Sequence, residues 1–296
     1  MVTGILLMVL AGFGWVGVGC VVSYCAAKKV NLAVTQLVQA LMCAAVGGVL
    51  LYFQDTVGVS AKIKYLTYGS LFLSGIGNFA AYDLMNRAMK VGPNGIIWSF
   101  VQSALIFPFL TGVIFFGDSL TPVRMCGMAA LIVSILLLGA AKGNTGSEQS
   151  SRRWFWIALA AFIAAGFTQV TTNLPSYWQE AKQITPVMRT VWFQLGIAAG
   201  FFLLWAGERK PIPLTGVLKP AICLSVFYIL LYFVLMFNGL DKLAADGAGS
   251  VGFPVMLGSC IVGFFLYSLI FLKEKLTLTG ALGFLLCLGG IISISL

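Results

Sequence analysis

The segment "NRAMKVGPNG", residues 86–95, aligns without a gap with "NGLDKLAADG", residues 238–247, placing Asn86 over Asn238, Lys90 over Lys242 and Gly95 over Gly247 at a separation of 152 residues. Three further matches keep the same order at nearly the same spacing. Ser23-Tyr24 falls on Ser176-Tyr177, and "AAVGGVLLYF" (44–53) on "IAAGFFLLWA" (197–206). "GDSLTPVRMCGMAALIVSILLLGAA" (117–141) falls on "KEKLTLTGALGFLLCLGGIIS" (273–293), with Asp118 over Glu274 and Leu120-Thr121 over Leu276-Thr277. In this register Gln36 lies over Arg189. Four matches in one order argue that a unit of roughly half the chain has been duplicated.

The composition says what the unit is. Of 296 residues 60% are hydrophobic and only 9% charged, against about 25% charged in a soluble domain, and the mean hydropathy is +0.99. Runs of about 20 apolar residues, the length that crosses a hydrocarbon core, occur ten times: 2–24, 32–53, 65–88, 95–116, 120–141, 154–173, 186–206, 217–240, 247–272 and 276–295. Charge, Pro, Gly or a short polar loop bounds each, as expected where backbone groups in lipid must pair within the segment. The short alternating segments of a membrane β-barrel are missing. The expected fold is therefore all-α and polytopic, with a first five-helix repeat over 1–141, a polar linker over 142–153 and a second repeat over 154–296. An odd number of spans per repeat forces the two copies into opposite orientations.

The first span has no basic leader region and reads as a retained helix. The formal charge of +9 is a topology signal rather than a nucleic-acid footprint. Loops after odd-numbered spans hold twelve Lys/Arg and the others five, which places the odd loops in the cytoplasm and both termini outside. Seven cysteines without a CxxC pair read as small hydrophobes, and a chain with no histidine lacks the commonest metal ligand and proton carrier. No metal and no cofactor are expected.

The chain resembles the ten-helix members of the drug/metabolite transporter superfamily over essentially its whole length. The resemblance rests on the five-plus-five arrangement, the acidic-Leu-Thr turns at Asp118 and Glu274, the glycine-rich fifth and tenth spans, and Arg189 in the seventh. It implies a central pocket walled mainly by the first four spans of each half, with the fifth and tenth outside. The small multidrug relatives carry a Glu in their first span, whereas 2–24 has no charge.

Ionisable and amide side chains inside spans face the bundle interior or a wet cavity by default. Asp83 stands at i and Arg87 at i+4 in "GNFAAYDLMNRAMKVGPNG" (77–95). Two readings stand for it: a structural ion pair, or a substrate ligand and proton-coupling group. The other candidate substrate-binding residues are Trp15, Gln36, Asn78, Tyr82, Trp98, Gln102, Gln169, Asn173, Arg189, Gln194, Tyr228 and Tyr232. Several pair at i and i+4 (Asn78 with Tyr82, Trp98 with Gln102, Gln169 with Asn173, Tyr228 with Tyr232), a pattern equally open to helix contacts and interfacial anchoring. Gly14, Gly17, Gly19, Gly75, Gly77, Pro108, Pro175 and Pro254 allow close helix approach or local breaks.

The expected function is secondary-active transport of a small polar organic metabolite, neutral or zwitterionic, by alternating access. A drug or cation exporter, an integral-membrane lipid enzyme and a non-transporting scaffold are the rivals. The expected partners are a small-molecule substrate and the lipid bilayer, with no nucleic acid and with a homodimer allowed, in the inner or plasma membrane.

Overall fold

The computed structural model describes residues 2–52, 58–117, 121–140, 148–204, 215–246, 249–273 and 277–295. Among them run ten helices and no strand: α1 (Val2–Ala27), α2 (Leu32–Leu51), α3 (Ala61–Met89), α4 (Asn94–Phe116), α5 (Pro122–Ala140), α6 (Glu148–Tyr177), α7 (Pro186–Leu204), α8 (Leu218–Ala245), α9 (Gly249–Ile270) and α10 (Leu278–Ser295). Each expected span is represented by one helix. α3, α6 and α8 run beyond their apolar runs, because helical backbone bonds do not depend on side-chain polarity. The turn residues Asp118 and Glu274 and the first half of the linker, 142–147, lie outside the described residues.

Seven of the ten helices (α1, α2, α4, α6, α7, α8 and α9) are long and apolar enough to cross a membrane, while α5 and α10 carry shorter apolar stretches, Pro122–Ser134 and Leu278–Ser293. α3 is not among them: even its charge-free stretch 65–82 is diluted by Tyr65, Thr67, Tyr68, Ser70, Ser74, Asn78 and three glycines. The outer surface is apolar: Phe13, Ile114, Phe115, Phe202, Leu203, Leu285 and Ile292 all stand exposed. A patch of that extent suits lipid and not water.

Helix packing comes in matched sets. α3 lies against α6 and α7, and α8 against α1 and α2. α1 packs on α9 as α6 packs on α4, while α2 meets α7 and α5 meets α10. The α3–α7 crossing is glycine on glycine: a Cβ on Gly75 would strike the Phe193 carbonyl oxygen, and one on Gly196 that of Phe72. Small residues let helix backbones approach this closely where lipid offers no hydrophobic drive.

The repeated residues also start helices. Thr121 Oγ1 accepts from Arg124 N–H (3.3 Å) at the head of α5, and Thr277 Oγ1 from Gly280 N–H (3.1 Å) at the head of α10. Asn31 Oδ1 caps α2 through Val34 N–H, and Thr185 Oγ1 caps α7 through Met188 N–H. Such caps satisfy N–H groups that the helix leaves unpaired. The duplicated Leu-Thr dipeptide thus has a local structural reason.

A 3-10 turn, Glu180–Gln183, follows α6 and staples it to α3. The Ser60 hydroxyl (2.6 Å) and backbone N–H (3.2 Å) both donate to the Glu180 carboxylate and hold its pKa below the usual 4.5. A depressed carboxyl stabilises the fold above its unfolded value and loses that contribution as pH falls through the lower folded value. The melting-temperature advantage of wild type over Glu180→Gln is therefore expected at neutral pH and should shrink progressively as the pH falls below about 4.

Gly75→Val should destabilise the detergent-solubilised protein by about 1–3 kcal/mol or more through overpacking. Gly48, whose Cβ position meets nothing within 4 Å, should accept Ala with a gain of roughly 0.5–1 kcal/mol. Thermal unfolding of both variants checks the pair.

Candidate functional site

Two prolines prepare the centre of the molecule. A proline in a helix removes one N–H bond and crowds the carbonyl four residues earlier. Pro108 does this to Ala104, within the 3-10 turn Ser103–Leu105 that interrupts α4. Pro254 does it to Ser250, within the turn Gly249–Val251 that opens α9. In α8 the stretch Ile229–Met236 widens into a π-helix, a form found mostly as short insertions and often at functional sites.

Beside these irregular stretches lies a hollow with about 510 Å3 of empty space counted out to its mouth. Its wall takes Trp15 from α1, Asn78, Tyr82 and Met85 from α3, and Gln102 from α4. Thr168, Gln169 and Thr172 come from α6, Tyr232 and Met236 from α8, and Phe253, Met256 and Leu257 from α9. All of these side chains belong to the buried class. Among the described residues no acidic or basic side chain lines it.

The wall is ordered by rings and hydrogen bonds. Trp15 lies nearly parallel to Tyr82 (8°, centroids 6.1 Å apart) and meets Tyr228 and Tyr232 edge-on at 5.8 and 6.0 Å. Parallel-offset and edge-to-face ring pairs are the favoured arrangements. Tyr228 donates to Asn78 Oδ1 (3.2 Å) from behind the wall. Thr168 Oγ1 donates to the Ala164 carbonyl (3.0 Å), and the Thr172 hydroxyl pairs with that of Ser74.

Six of the sequence candidates therefore line the hollow: Trp15, Asn78, Tyr82, Gln102, Gln169 and Tyr232. Tyr228 and Trp98 stand behind it. Trp98 is fully buried, donates from Nε1 to the Cys260 sulfur (3.3 Å) and packs on Phe264. Gln36 donates to the Phe79 carbonyl (3.5 Å), Gln194 accepts from Gln39 across the α2–α7 contact (3.0 Å), and Asn173 is buried outside the lining. α2 and α7 contribute no lining residue. Thr168 and Thr172 escaped the sequence reading, although their i, i+4 spacing beside Gln169 carried the signal. Met85, Met236 and Met256 carried none, because an apolar pocket wall and an apolar core read alike.

The two charged candidates stand elsewhere. Asp83 binds Arg87 at 2.7 Å, with the Arg87 side chain half exposed. The i, i+4 geometry places the two on one helical face, and Asp83 does not line the hollow. Arg189 is completely buried near the other end of the molecule. Its guanidinium donates to Asp241 Oδ1 (3.0 Å) and the Ala181 carbonyl (2.6 Å), and lies 5.5 Å from the Phe237 ring centroid. It clamps α7, α8 and the turn after α6 together. A buried cation needs a charge partner and further hydrogen bonds to repay its desolvation, and this site supplies both.

No family model and no curated protein matches the chain. A solved structure described only as "Crystal structure of protein" shares the fold, with a TM-score of 0.64 over 98% of this chain and 96% of that one at 15% identity.

Breaking a buried ion pair from one side leaves the other charge stranded, at a cost of about 3–5 kcal/mol. Arg189→Met should therefore lower thermal stability strongly, Asp241→Asn by at least about 2 kcal/mol, and the double variant by less than the sum. A double-mutant cycle of unfolding in detergent measures that coupling.

Proposed function

We propose that the chain is a secondary-active transporter that moves a small, uncharged, polar organic metabolite by alternating access, built as two inverted five-helix repeats in the manner of the ten-helix drug/metabolite transporters. One observation carries the reading. The hollow is walled by α1, α3 and α4 from the first half and by α6, α8 and α9 from the second, so each wall helix has its sequence-repeat mate across the space. The matched packing pairs and the shared cap residues support the same duplication. α5 and α10, packed on each other, stand apart from the hollow.

The uncharged wall narrows the cargo. A zwitterion or a cation would enter an apolar, aromatic chamber with no counter-charge, and an unpaired ion there costs several kcal/mol. A neutral solute carries no such cost, which counts against the cation exporter. With its apolar belt in a cell membrane and its odd loops on the cytoplasmic side, the chain would cross ten times.

Purified protein in proteoliposomes should show saturable uptake and counterflow of at least one uncharged solute from a metabolite mixture. Accumulation no greater than in protein-free vesicles rejects the reading. Asp83→Asn should leave the pH profile of that flux unchanged, since its carboxylate serves Arg87. A flattened or displaced profile returns Asp83 to the coupling mechanism.

A further inference from the structure

We infer that the hollow recognises a flat, uncharged ring carrying an amide-type edge, an N–H beside a C=O, read by Gln169 and Trp15. The inference rests on reading the hollow as a solute site and goes further by naming the chemistry of the solute.

The argument is an inventory of hydrogen-bonding groups. Burying a polar atom without a partner costs roughly 1–3 kcal/mol, so native interiors rarely leave one. Three polar atoms of the wall are already engaged: Asn78 Oδ1 by Tyr228, the Thr168 hydroxyl by a backbone carbonyl, and that of Thr172 by Ser74. Two sealed atoms of the wall have no partner among the described residues, Trp15 Nε1 and Gln169 Oε1. Both residues are more than nine-tenths buried, at 5% and 7% exposure. They come from α1 and α6, the helices that open the two halves.

The chemistry of these two groups defines their complement. A carboxamide offers one acceptor and one donor side by side, whichever way its ends are assigned, and pairs with a cis amide or lactam through two antiparallel hydrogen bonds. The Trp15 indole is a donor only and calls for a second carbonyl. The parallel Trp15 and Tyr82 rings favour a planar face against them, and Met85, Met236 and Met256 give deformable apolar packing. An imide-like heterocycle of the nucleobase type meets all of these demands. An aliphatic or charged solute does not.

The test uses equilibrium binding of uracil to the purified full-length protein, against 1,3-dimethyluracil, which keeps the ring and both carbonyls but has no N–H, and against phenylalanine, an aromatic zwitterion. Uracil should bind at least about ten-fold more tightly than 1,3-dimethyluracil, one well-placed donor being worth that factor, and phenylalanine should not compete. Gln169→Leu should bring the two pyrimidines within about two-fold, with Gln169→Met as the second variant if the first unfolds early. Trp15→Phe should weaken uracil about five-fold or more while keeping its preference. Absent uracil binding, equal affinity of wild type for the two pyrimidines, competition by phenylalanine, or a preference that survives Gln169→Leu overturns the inference. Selective uracil binding without vesicle flux would sustain it and remove the transport reading. Flux of another solute without uracil binding would do the reverse.

Discussion

Polar groups that enter a hydrocarbon layer have to find their partners inside the protein, and that constraint organises this molecule. Gln36, Gln39, Asn78, Gln102, Gln169, Asn173, Arg189 and Gln194 are all buried, while the exposed face carries Leu, Ile, Val and Phe. Helix packing alone could have been satisfied by apolar side chains and glycines, as at the Gly75–Gly196 crossing. The amides and the arginine therefore dictate how α2, α3, α4, α6 and α7 are rotated about their axes. Once α1, α3, α4, α6, α8 and α9 turn their amides and aromatic rings inward, a space lined by both remains between them.

Much of this was legible in the sequence. Ten apolar runs read as ten helices, because each apolar run long enough to cross a bilayer gives one helix. The Leu-Thr repeat marked two helix starts, and Pro108 and Pro254 marked two breaks. The charged residues were legible only in part. Hydropathy says that Asp83 and Arg189 avoid lipid, but not which interior they choose. For Asp83 the answer was local, four residues ahead at Arg87. For Arg189 it lay in Asp241 and in the carbonyl of Ala181, a partner set assembled from two other segments that no spacing rule connects. The π-helical stretch of α8 likewise had no signal, since Ile229–Met236 contains neither proline nor glycine.

The two halves match in packing but differ in charge at their ends. Where the second half buries Arg189 against Asp241, the first has Gln36 making one long bond to the Phe79 carbonyl. Nearby, neutral contacts hold the seam: Asn94 donates to Ser23 (2.6 Å) and Asn86 to the Val22 carbonyl (3.2 Å).

That inequality bears on how a transporter with this architecture would open. Neutral hydrogen bonds contribute about 0.5–1.5 kcal/mol each, and water entering the seam replaces them readily. Parting Arg189 from Asp241 looks far harder, but the comparison with a deletion variant misleads. A deletion strands one charge in a dry interior, whereas opening the same end admits water to both charges and returns much of their solvation. The net cost of opening is then a small difference between a large desolvation and a large attraction. An ion-pair clamp of this kind biases which end is closed at rest without locking it, and the bias falls as the clamp becomes wetter.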